Sequence, residues 1–190
     1  MQSPTSSPPF KRIAFAKYLR SLHWWMAIVF LMVYLVGIVM ARLPGGTPLR
    51  SNLIVIHKSF AVLSLGLLCV RIILLLQVVW QRYSRRLPRV SEVWLRSVMF
   101  HAALYVSMLA VPISGIFYSN TNDRDTVFFG IVLPRLFRVN ESLSELSHRL
   151  HIGAAYIFLG LILLHILDQR KFVQSFWRRF KGTKTKNSSR

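Results

Sequence analysis

Four long apolar stretches punctuate the chain. The first runs from His23 to Ala41 without a charged residue. The second, Leu53–Trp80, is broken only by Lys58 and Arg71. The third, Val98–Ser119, holds one histidine and no other acid or base. The fourth runs from Arg149 to Leu167. A helix needs roughly 20 residues to cross the hydrocarbon of a bilayer, and each stretch is long enough. Backbone amides inside a bilayer must bond within their own segment, so the four runs are predicted as helices. The fold class this implies is all-α, a transmembrane up-down four-helix bundle. Residues 1–14, rich in Pro and Ser, read as a disordered N-terminal segment. Residues 15–170 form the helical domain, and 171–190 a basic tail. In that tail Phe172, Phe176 and Phe180 recur every four residues among Lys and Arg, the pattern of a helix lying on a membrane surface. The connection Tyr118–His148 is long for a helical hairpin and is expected to fold as a cap. Pro112 is expected to kink the third helix. No internal repeat is apparent.

Charge changes this picture only in its orientation. The 190 residues carry 25 Lys+Arg against 6 Asp+Glu, a net charge of +19. Such an excess alone suggests a nucleic-acid binder. A 53% apolar composition with long uncharged runs excludes that reading and places the basic residues in loops and tails. Seventeen of them fall on one side, in the N-terminal segment, the second connection and the C-terminal tail. Seven fall on the other, with Asp123, Asp125, Glu141 and Glu145. Basic loops stay in the cytoplasm, so both termini are expected there, in a multi-pass protein of the inner (plasma) membrane. The first apolar run is long for a signal peptide and opens on His-Trp-Trp, so it reads as a span. The single Cys69 cannot form an internal disulfide.

The histidines carry the chemistry. All six, His23, His57, His101, His148, His151 and His165, fall in or at the edge of a span. Ionisable groups there are costly and mark functional sites, although a single histidine would more often be a hydrogen-bonded packing residue. Depth sorts them into two levels. His57, His148 and His151 lie near the outside, and His23, His101 and His165 near the cytoplasm. His151 and His165 are 14 residues apart, about 40° short of four full turns and roughly 21 Å along the axis, so both face one side. His148 lies roughly 100° away from His165 in azimuth. His57 and Arg71 repeat the interval of 14. Two levels of imidazoles suit two stacked cofactors, and imidazole is a common axial ligand of haem iron in a bundle core. Without a Cys-x-x-Cys-His, the attachment would be non-covalent, as in haem b. The outer level offers His57 and His151. The inner level offers three histidines for two positions.

In order along the chain stand Leu22-His23-Trp24, His57-Lys58 with Arg71, His101-x-x-x-Tyr105 with Pro112 and Ser114-Gly115, Phe129-Gly130 with Pro134, and His151 with His165. This ordered set resembles the bacterial cytochrome b561 family, the four-helix inner-membrane type, over roughly residues 15–170. Related proteins include the cytochrome b subunits of hydrogenase and formate dehydrogenase. The resemblance implies two haem b per chain, with His23 and His165 as metal ligands of the inner one and His57 and His151 of the outer. It places His101 beside the inner haem or a quinone. Ile152 departs from the acidic or aromatic residue that many relatives have after the histidine at position 151, and His148 stands one turn before it.

Arg71 at the inner level and Lys58 at the outer level are the candidate cations for the haem carboxylates, with snorkelling to the interface as the plainer alternative. Gly37, Gly66, Gly115, Gly153 and Gly160 could admit a porphyrin, but small residues also serve ordinary helix packing. The function expected is transfer of single electrons across the membrane, to or from a quinone such as ubiquinone. The donor or acceptor at the opposite face is undefined, and a homodimer is compatible. No acid–base pair or nucleophile suggests catalysis by the chain itself. The alternatives are an anchor subunit of a hydrogenase or formate dehydrogenase-type complex, and a non-haem structural or transport protein. A Soret band separates the last from the others.

Overall fold

The computed structural model describes residues 9–84 and 90–169. It contains helices α1 (Pro9–Arg42), α2 (Pro48–Tyr83), α3 (Glu92–Thr121) and α4 (Glu141–Asp168). A two-stranded hairpin, β1 (Thr126–Phe128) and β2 (Ile131–Leu133), lies between α3 and α4. Each helix is long and apolar enough to span a membrane, over Lys17–Arg42, Pro48–Gln81, Glu92–Thr121 and Glu141–Asp168. The all-α, membrane-spanning bundle expected from the hydropathy pattern is therefore present. At 28 residues or more, each helix is over ~40 Å long and outruns the ~30 Å hydrocarbon core.

Helix α1 begins at Pro9, within the stretch read as the N-terminal lead-in. Residues 1–8, the Phe172–Phe180 segment and Arg85, Arg86 and Arg89 of the basic connection lie outside the described residues. Pro48 opens α2 in the first turn, where its missing N–H costs nothing. Ser91 and Asn140 cap α3 and α4, their side chains accepting from Trp94 N and Leu143 N, and Glu92 and Glu141 place negative charge at the positive end of each dipole. Pro112 sits inside α3, which continues past it to Thr121.

The bundle is two helical hairpins, α1 with α2 and α3 with α4, joined along α2 and α3. Among the described residues no Cα of α1 comes within 8 Å of α4, and none of α2 does so either. Side chains alone bridge that spacing. Phe30 meets Phe158 edge-on at 5.1 Å between ring centres, and the Tyr34 hydroxyl donates to the Ala155 carbonyl at 2.7 Å. Met26, Leu68, Leu104 and Val111 complete a small core. Large apolar side chains such as Leu31, Ile73, Leu76 and Ile157 point outward, which suits contact with lipid.

The connection expected as a cap is structured, but shorter than its predicted limits because both flanking helices extend into it. Its hairpin turns at Phe129 and Gly130, both with positive φ (45° and 92°), the geometry of a two-residue turn matched to strand twist. The Ser59 hydroxyl of α2 accepts from Phe129 N at 2.9 Å. The Asn120 side-chain oxygen, fully buried, accepts from Leu136 N and Phe137 N. Arg135 joins Asp123 and Asp125 at 2.6 and 2.7 Å, and their carboxylates hold its guanidinium above the usual arginine range.

Candidate haem-ligand site

Each helix contributes histidines at a set depth, and the fold brings them together at two levels. At the outer level, beside the cap, His57 of α2 faces His151 of α4. Their ring centres are 6.3 Å apart and their planes cross at 84°. At the inner level His23 of α1 faces His165 of α4 at 6.2 Å and 82°. His101 of α3 also reaches His165, at 5.7 Å and 85°, and Phe100 stacks on the same ring at 23°. His148, by contrast, lies against Tyr118 at 4.8 Å. The azimuth argued from the 3.6-residue turn separates it from His151.

The outer rings are fixed by the same device. His57 Nδ1 lies 3.1 Å from the Val33 carbonyl of α1, and His151 Nδ1 lies 3.2 Å from the Val111 carbonyl of α3. A carbonyl can only accept, so each Nδ1 carries the proton and each Nε2 keeps its lone pair. This is the arrangement metal-binding histidines ordinarily have. Glycine makes the approach possible. A Cβ on Gly37 would stand 3.2 Å from His57 Cε1, and one on Gly115 only 3.0 Å from His151 Cε1. At the inner level His101 Nδ1 is 2.7 Å from the Ser97 carbonyl of its own helix, and His165 Nδ1 is buried with no partner among the described residues.

Two cations accompany the levels. The Arg71 Nε donates to the Tyr105 hydroxyl at 2.8 Å, while its Nη1 is buried with no partner among the described residues. Lys58 turns to the cap, donating to the Asp125 carbonyl at 2.7 Å. Sequence reasoning named both cations but missed the roles of Val33, Val111, Gly37 and Gly115. Only the tertiary contact distinguishes those two glycines from the others.

The donor set selects among metals. Among the described residues no three His, Cys, Asp or Glu converge on one point. Paired imidazoles suit an ion whose other ligands come from a flat macrocycle. Two imidazoles bound at about 2.0–2.1 Å each bring their ring centres roughly 6 Å apart, as both facing pairs are. The residues present thus fit haem.

The comparison with protein families agrees. The family model described as prokaryotic cytochrome b561 matches residues 14–169. No curated protein matches the chain. The match covers all four membrane-length helices and every histidine of both levels, and it carries with it haem b and electron transfer in a multi-pass membrane protein. The chain belongs to the prokaryotic cytochrome b561 family.

Proposed function

We propose that the chain holds two haem b, one at each level, and passes single electrons between the two faces of the inner membrane. His57 and His151 ligate the outer haem, and His23 and His165 the inner. The observation that carries this reading is the near-identity of the two facing pairs, 6.3 Å at 84° and 6.2 Å at 82°. His101, closer at 5.7 Å and more exposed, serves beside the inner haem as the contact for a quinone.

When bound, haem supplies reversible one-electron exchange at iron. The chain supplies the rest. Val33 and Val111 hold the outer imidazoles in the tautomer that leaves Nε2 free. Arg71 and Lys58 offer positive charge to the haem carboxylates. With 17 of the 25 basic residues on one side, both termini lie in the cytoplasm, and the inner level faces it. Residues 15–170 form the di-haem domain, and 171–190 a basic tail.

The test is optical. The purified protein should show a Soret band and a reduced α-band that develops on adding ubiquinol. A colourless protein contradicts haem binding, and a coloured one that ubiquinol cannot reduce contradicts the quinone partner.

A further inference from the structure

The outer level contains a symmetry that the connections obscure. His57 rests on Gly37 and bonds to the carbonyl of Val33, four residues before that glycine. His151 rests on Gly115 and bonds to the carbonyl of Val111, again four residues before. The correspondence extends along both helix pairs. Residues of α1 match residues of α3 78 positions later: His23 and His101, Val33 and Val111, Gly37 and Gly115. Met26 and Leu104, another such pair, are both buried. Residues of α2 match residues of α4 94 positions later: His57 and His151, Gly66 and Gly160. Leu65-Gly66-Leu67-Leu68 answers Leu159-Gly160-Leu161-Ile162, and Ser64 and Phe158, one position earlier, are both buried. The two offsets differ because the α3–α4 connection carries the hairpin and the α1–α2 turn does not.

Two of the positions at which the halves differ bear on the histidines. At the inner level Arg71 stands where the second half has His165, and Ala27 where it has Tyr105. His101, the mate of His23, therefore has no imidazole opposite it on α2, which accounts for the odd histidine of that level. At the outer level Ser114 precedes Gly115, whereas Val36 precedes Gly37. The Ser114 hydroxyl donates to the Val111 carbonyl at 2.9 Å and lies 3.2 Å from His151 Nδ1. Since that nitrogen carries its proton, the serine oxygen accepts from it. His151 thus has two acceptors at Nδ1, and His57 has one.

We propose that the two halves form duplicated seats for the outer imidazoles, and that Ser114 is a positioning residue that makes the two seats unequal. This rests on His57 and His151 being the outer ligands. An acceptor at Nδ1 makes the imidazole more basic and the iron it binds harder to reduce. Ser114 therefore holds the outer haem at a lower potential than the bare seat would.

The duplication supplies its own control. Ser114→Ala removes the second acceptor from His151 and should raise the outer midpoint potential in a redox titration of the membrane-embedded protein. Val36→Ser places a hydroxyl at the mate position beside His57 and should lower it. The double variant should return towards the wild-type value. The inner midpoint should not move in any of the three. Haem content, read alongside, should stay at the wild-type level. Single variants that leave the outer midpoint in place, or that both move it in one direction, overturn the inference. The ligand reading is tested separately by His57→Ala and His151→Ala. If these keep the outer haem, that reading fails and the inference with it. If they lose it while the Ser114 and Val36 variants do nothing, only the inference fails.

Discussion

His57 on α2 and His151 on α4 meet across the bundle at 6.3 Å with their planes at 84°, although no Cα of the two helices comes within 8 Å. The pair is the only ring contact between α2 and α4 among the described residues. If one metal joins them, either residue alone controls the same signal. His57→Ala and His151→Ala should each remove one haem, the same one, and leave the other spectrum intact. His148→Ala should retain both, because His148 packs on Tyr118. Loss of the outer haem in the His148 variant, with retention in the His151 variant, would reverse the choice on α4.

The glycine seats give a steric test. A methyl group at Gly115 would stand 3.0 Å from the His151 ring, and one at Gly37 would stand 3.2 Å from His57. Overpacking of that kind costs about 1–3 kcal/mol. Gly115→Ala should lower the thermal midpoint and the outer haem content, and Gly37→Ala should do so less. The measurement is haem-to-protein ratio across a melting series.

The inner level is tested by its surplus histidine. His101→Leu should keep both haems and slow reduction by a quinol, while His23→Ala should lose the inner haem. Loss of that haem in the His101 variant and its retention in the His23 variant would give the ligand role to His101, whose Nδ1 is already engaged by Ser97.

Among the described residues, Tyr105 is the hydrogen-bond partner of the Arg71 guanidinium. Among the described residues Arg71 Nη1 has no partner, and Tyr105→Phe leaves Nε without one as well. An unsatisfied buried donor costs about 1–3 kcal/mol. The variant should melt earlier than wild type. An unchanged melt would mean that the hydroxyl contributes nothing to holding Arg71.

The helices and the two histidine levels were legible because membrane burial writes both in simple terms. A span is an uncharged run, and an interval of 14 residues returns a helix to nearly the same face. The cap was less so. Its strands are three residues each, and their place depends on Ser59 and Asn120, which look like ordinary polar residues in the chain. Gly37 and Gly115 could not be told from Gly66, Gly153 and Gly160, because only contact with an imidazole separates them. The duplication proposed above is masked in the chain by its two unequal offsets and by mates as unlike as Ser64 and Phe158.

The haem stoichiometry of the purified protein bears most directly on the account. Acidified organic solvent should release all haem, since no Cys-x-x-Cys-His binds it covalently. A pyridine haemochrome assay should then give two haem b per chain, one for each facing pair of histidines. A value of one per chain would contradict the two-level reading.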